Sequence, residues 1–403
     1  MSNFKKHCIF TILYNLGLSF CSGAIVQTFL LQKGLSESQV YLYNSLILFA
    51  QVAMMFLLTF LAGRLRRIKI IIGIAYFTIS ALALFLLFSL LQSVDFGKSQ
   101  VSVLFIIAVL SYFGVGVSTI LSYTLPYKII DMKDYGKLTG LEAALAGGVT
   151  FLVSLLYSFL LSKFNYMKTT ACFFTLAIIC FVATGIICLS LKEATQEYQA
   201  QESTKTDLIA VFKNKNTYLL LLPNFARGLA MGVFNVIAVF AISLHLLNET
   251  TASYVTIIIQ IATFIANLFF AFAYKRFSST NLLLFATIGT CVFLPLSLEF
   301  GTVGFFLIFT MACFFRLIVD TAIPVVITEI IPQNQIGGYT SIRMLIFTGA
   351  QAVATLILTP IIQNFGYTTL LIFAAILQLF CGIPYYIVAK MMQNKQKLQD
   401  SVE

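Results

Sequence analysis

Arg316 and Asp320 stand four residues apart in FFRLIVDTAIP, Phe314 to Pro324, a stretch otherwise almost wholly apolar. Four residues is about one helical turn, so on a helix both side chains share a face. Their chemistries are complementary. A guanidinium keeps its proton at any working pH and is a fixed anchor for carboxylate, phosphate or hydroxyl oxygens. A carboxylate is held ionised by a neighbouring cation and takes up a proton when that cation is drawn away in an apolar site. A solute oxygen arriving at Arg316 would compete with Asp320 for the cation and leave Asp320 open to protonation. The spacing also fits a plainer role, in which the pair neutralises itself and makes its helix insertable in lipid.

The elements that must carry these residues are membrane spans. The 403-residue chain is 60% hydrophobic and only 10% charged, with a mean hydropathy of +0.95. A soluble domain would carry roughly a quarter charged residues. A crossing needs about 20 apolar residues. Twelve such runs lie near 8–31, 40–62, 69–91, 101–124, 138–162, 168–191, 217–246, 252–274, 281–299, 302–328, 338–362 and 367–390. The polar stretch from Leu191 to Asn216 separates six spans from six. The expected organisation is an all-α membrane protein of twelve transmembrane helices in two pseudo-symmetric six-helix bundles. Residues 1–191 and 217–403 form the bundles, and 192–216 form a linker.

The net charge of +10 is a matter of topology. With the N-terminus cytoplasmic, eighteen of the 25 Lys and Arg fall on the cytoplasmic side and four on the outer side. The remaining three are Arg227, Arg316 and Arg343, inside spans. By the positive-inside rule both termini and the linker are cytoplasmic, in a multi-pass protein of the cell membrane. This distribution accounts for the basic excess without a nucleic-acid partner.

A charge at bilayer depth costs about 2.5 kcal/mol or more, so it faces a cavity or a partner. Arg227 lies about ten residues into the seventh span and Arg316 about fourteen into the tenth, both near mid-depth at about 1.5 Å per residue. Glu142 and Arg343 lie nearer the cytoplasmic ends of their spans. They group with Asp131, Asp134 and Glu329, and with Arg64 and Arg67 of the loop after the second span, in an ionic rim. That rim is either structural pairing or a cytoplasmic gate that breaks and re-forms. Asn15, Tyr112 and Asn224 could complete a substrate site by hydrogen bonding and ring stacking, though each also suits ordinary interhelical contact.

The halves echo each other. Pro126 and Pro324 each precede an acid by five residues, Asp131 and Glu329, and Gly136 and Gly338 each precede a second glycine by eleven. Duplicated bundles are a common transporter plan. With the twelve spans, the long middle loop and GRLRRIK after the second span, the chain resembles the major facilitator superfamily. Arg64, Arg66 and Arg67 keep that family's basic cluster, while Gly63 replaces its acid. DMKDYGKLTG, Asp131 to Gly140, is similar to a stretch of the glycoside–pentoside–hexuronide cation symporters. The second span offers Asn44 and Gln51 but not the acids that group uses for its cation. The resemblance implies that the first, fourth, seventh and tenth spans line a central cavity.

The expected function is secondary active transport of a small solute, proton-coupled through Asp320, with a sugar, sugar acid or organic anion as substrate. A multidrug or metabolite efflux antiporter and a transporter-derived sensor are the other readings. The chain carries no GxxxxGK[ST] loop for nucleotide use and no metal-ligand spacing, so it is expected to be no enzyme and to need no cofactor or metal. Its expected partners are the solute, a coupling proton and the bilayer, with the monomer as working unit. The eight cysteines are expected as buried thiols.

Overall fold

The structure is a computed structural model that describes residues 3–21, 23–61, 67–92, 95–129, 148–149, 152–153, 155–157, 159–192, 220–252, 254–273, 276–331 and 333–400. Among these residues all regular structure is helical. In lipid the backbone must satisfy its own hydrogen bonds, which a helix does within one segment. Nine helical stretches among the described residues are long and apolar enough to cross a membrane. One of them, Tyr339–Met392, has 54 residues, room for two crossings, and Tyr254–Phe270 is a shorter apolar helix.

The described residues divide into two compact units. The first takes 1–201 with 248–260, and the second takes 202–247 with 261–403. The first holds α1 (Asn3–Phe20), α2 (Gly23–Gln32), α3 (Glu37–Leu61), α4 (Ile68–Leu91), α5 (Lys98–Ile129) and α6 (Tyr166–Leu189), with helical residues also between 148 and 163. Here α4 packs on α5 and α6, α3 on α5, and α1 on α6. Asn165 caps α6 by accepting from the backbone N–H of Lys168. At the other end of α6, Lys69 Nζ donates to the carbonyl of Leu191 and Lys6 Nζ to that of Ser190, each at 2.6 Å. Cations suit the negative end of a helix dipole.

Then follow α7 (Leu221–Phe234), α8 (Ile237–Ser243), α9 (Glu249–Ala252), α10 (Tyr254–Ala273), α11 (Ser279–Leu296), α12 (Thr302–Ile330) and α13 (Gln333–Asp400). In the second unit α7 packs along α13, and α11 packs on α12 and α13. Within α13, Gly366 has φ 76° and ψ 171°, so two helices meet there. Only glycine adopts that backbone without strain, and the joint falls between the eleventh and twelfth sequence spans. Outward faces are rich in apolar side chains, such as Phe272 at 75% exposure, as a lipid-facing surface requires.

Two spans expected as single helices are broken. In the first, α1 ends at Phe20, Cys21 is a turn residue and α2 begins at Gly23. The seventh divides at Asn235–Val236, where Asn235 N–H bonds to Met231 and Val233, and Val236 N–H to Val233. That tighter winding is a short 3₁₀-like step. The cysteines also differ in part from expectation. Cys172 is exposed, Cys21 and Cys291 are half-buried, and the other five are buried. A weakly polar thiol on an outward face meets apolar surroundings in lipid just as it does in a core.

Candidate functional site

The second unit holds a cluster of charge built from α7, α12 and α13. It begins with the sequence LLPNFARGLAMGVF of α7, most of which is buried. Gly228 and Gly232 let α7 approach α13 closely. A Cβ at Gly228 would stand 2.4 Å from the Phe347 carbonyl oxygen and 2.6 Å from Ala350 Cβ. A Cβ at Gly232 would meet Ala354 Cβ at 2.6 Å. This approach sets the Arg227 guanidinium over the Phe347 ring, 4.9 Å from its centroid.

On α12, Arg316 and Asp320 share a face as their spacing requires. Arg316 Nε and Nη2 donate to Asp320 Oδ2 at 3.3 and 3.2 Å. The other carboxylate oxygen, Oδ1, pairs with Nη2 of Arg227. One carboxylate therefore bridges two guanidiniums from two helices. Arg316 Cζ lies 4.5 Å from the centroid of Phe234, the last residue of α7. Desolvated cation–π contacts of this kind contribute about 2 kcal/mol. Arg227 and Arg316 have side chains 5% and 14% exposed, whereas Asp320 is 28% exposed. The acid is thus the accessible member of the trio. Pro324, inside α12, has no N–H to offer the Asp320 carbonyl one turn earlier, so the helix is loosened at the acid itself.

One turn before Arg227, Asn224 is wholly buried. Its Nδ2 lies 2.7 Å from the Leu220 carbonyl, 3.2 Å from Tyr339 Oη and 2.5 Å from Tyr385 Oη. The two phenols are 2.7 Å apart. Asn224 thus ties α7 to both halves of α13. Arg343 is 8% exposed in the packed interior, one turn beyond Tyr339 and one turn before Phe347.

The remaining sequence candidates fall elsewhere. Asn15 is half-buried on α1 and donates to the Thr11 carbonyl of its own helix at 2.8 Å. Tyr112 lines a cavity of about 60 Å³ in the first unit, beside Tyr43, Asn44, Ser111 and Cys21. Arg67 is exposed at the start of α4. Arg64, Asp131, Asp134 and Glu142 lie outside the described residues, as does the Glu329 side chain. The structure thus brings Arg227, Arg316 and Asp320 together.

Phe234, Phe347, Tyr339 and Tyr385 enter the cluster without having been singled out in sequence. Two of them are lost among 40 phenylalanines. The spacing of Tyr339, Arg343 and Phe347, four and four, was the available signal, because it lines one helix face.

A family model described as Major Facilitator Superfamily matches residues 8–246. A search of curated protein sequences finds no match. Among solved structures, the D-xylose-proton symporter aligns with a TM-score of 0.69 at 14% identity, over 93% of this chain and 96% of that one. The nucleoside transporter NupG aligns at 0.66 and 15% identity, over 96% and 99%. The E. coli fucose:proton symporter FucP aligns at 0.62 and 13% identity, over 96% and 98%. Identities this low speak to the fold alone. The family match covers more than half of the sequence, and the chain belongs to the major facilitator superfamily, a multi-pass membrane transporter of that fold.

Proposed function

We propose that this transporter is secondary active and couples a proton, through Asp320, to the movement of a small oxygen-rich solute: a sugar, sugar acid or organic anion. The observation that carries the reading is the bridging carboxylate, with Oδ1 on Arg227 and Oδ2 on Arg316. Both cations are permanent. A solute oxygen that engages either guanidinium weakens its hold on Asp320, and the partly exposed carboxylate then takes up a proton. Departure of the solute restores the ion pair and expels the proton. Binding and protonation are thereby linked at one side chain. Solved structures named as sugar:proton symporters share the fold, which supports the coupling and the solute class.

In this reading a single chain in the cell membrane is the working unit, with both termini cytoplasmic as the basic loops require. Bundles of residues 1–191 and 217–403, joined by 192–216, alternate access. Arg64, Arg67, Asp131, Asp134, Glu142 and Glu329 serve the cytoplasmic rim. The test is uptake into proteoliposomes under an imposed pH gradient, with radiolabelled glucose, glucuronate and glucose 6-phosphate as probes. Accumulation of one of them, collapsed by a protonophore, is the expected result. Uptake of any probe that ignores both gradient and protonophore contradicts proton coupling.

A further inference from the structure

Among the described residues, the interior of the second unit holds three largely buried guanidiniums, Arg227, Arg316 and Arg343, and one carboxylate paired with any of them, Asp320. Both of its oxygens are already taken. Arg343 has a 3.7 Å contact from Nη2 to Met344 Sδ, and its buried Nε has no hydrogen-bond partner among the described residues. The buried Nε of Arg227 is unpartnered as well.

Helix contacts put the two residues on facing stretches of α7 and α13. Tyr339, Arg343 and Phe347 lie at intervals of four on one face of α13. Tyr339 is bonded to Asn224, and Phe347 lies under Arg227. Asn224 and Arg227 are three apart on α7, and Gly228 sits on the Phe347 backbone. Arg343 is therefore held, between two contacts to α7, at the level of Arg227. A buried permanent cation with no counter-charge among the described residues is costly. Evolution could have placed glutamine or methionine there at no electrostatic cost. Two adjacent guanidiniums with unused N–H groups match the planar oxygens of a carboxylate or phosphate.

We propose that Arg343 and Arg227 together bind an oxyanion group of the transported solute, so that the substrate is an organic anion and a neutral sugar is excluded. The solute supplies the missing negative charge, and its arrival at Arg227 is what competes with Asp320. This inference rests on the transport reading and narrows its solute class.

The test is thermal unfolding of the purified full-length protein in detergent. Wild type, Arg343→Gln and Arg343→Lys are titrated with glucuronate, glucose 6-phosphate, inorganic phosphate and glucose at constant ionic strength. The expected result is that at least one of the three anions raises the melting temperature of wild type and glucose does not. Arg343→Gln should weaken that anion about tenfold, the loss of one charge-assisted contact, and Arg343→Lys should keep most of it. The carboxylate and phosphate arms show which oxyanion fits. Without ligand, Arg343→Gln should melt no lower than wild type, because it removes a buried cation that no described carboxylate compensates. An Arg343 in a structural ion pair would give a lower melting point instead. No stabilisation by any of the three anions overturns the proposal, as does equal stabilisation by glucose or of Arg343→Gln. Glucose accumulation driven by a proton gradient would overturn it while leaving the transport reading intact. Anion binding without gradient-driven accumulation would do the reverse.

Discussion

Arg227 on α7 and Asp320 on α12 form an ion pair between helices that are far apart in sequence. Asp320 also holds Arg316 on its own helix, so a single side chain links a local pair to a long-range one. This changes the meaning of the four-residue spacing. An i,i+4 pair that merely neutralised itself would need no third member.

Removing the acid leaves both guanidiniums buried on aromatic rings with no carboxylate among the described residues. Asp320→Ala is expected to destabilise the protein by about 3 kcal/mol, the lower end of the range for breaking a buried pair, since Asp320 is 28% exposed. Asp320→Ala combined with Arg316→Gln should recover part of that loss. Thermal unfolding in detergent checks both. A double variant less stable than the single one by the full cost of Arg316→Gln would show that Arg316 and Asp320 are uncoupled.

Close approach of α7 to α13 depends on Gly228. A methyl group there meets the Phe347 carbonyl at 2.4 Å, and backbone cannot swing aside as a side-chain tip can. Gly228→Ala is expected to cost about 1–3 kcal/mol, the usual range for overpacking. Gly301→Ala, with nothing within 4 Å, should change stability by less than about 0.5 kcal/mol. Melting curves of the two variants measured side by side decide this. Equal melting points would mean that the helices part without penalty.

Asn224 anchors the same contact from the next turn. Asn224→Ala leaves Tyr339 and Tyr385 with each other but without the amide, and leaves the Leu220 carbonyl with only the long 3.4 Å contact from Tyr339 Oη among these side chains. The expected cost is about 1–3 kcal/mol, that of unsatisfied buried polar groups. Chemical denaturation of the purified protein measures it. A neutral effect would show that the phenols re-pair with water or backbone.

Much of this was legible in the sequence, because the bilayer imposes length and polarity on every span. Charges at bilayer depth were conspicuous for the same reason, so Arg227, Arg316 and Asp320 could be picked out before any contact was seen. What stayed hidden depends on tertiary neighbours. That Arg227 takes one oxygen of Asp320 and Arg316 the other is a matter of how α7 and α12 lie together. Phe234 and Phe347 look like any other apolar positions until a guanidinium is found on them. In sequence Asn224 fits a ligand or an interhelical contact alike, because amides serve both purposes, and only its burial against Tyr339 and Tyr385 shows how its amide hydrogens are used. In sequence Arg343 is marked by depth alone, which does not reveal that its face of α13 looks onto α7. The change of winding at Asn235–Val236 is not legible in sequence, because an apolar run carries no marker of it.

The most direct measurement compares wild type with Asp320→Asn in proteoliposomes, using whichever solute the wild type accumulates under an imposed pH gradient. Asparagine keeps the size and one acceptor oxygen of the side chain but cannot carry the proton. Asp320→Asn should lose gradient-driven accumulation, since no titrating group remains between Arg227 and Arg316, while counterflow exchange of labelled for unlabelled solute continues. Accumulation by Asp320→Asn equal to that of wild type would contradict proton coupling at Asp320.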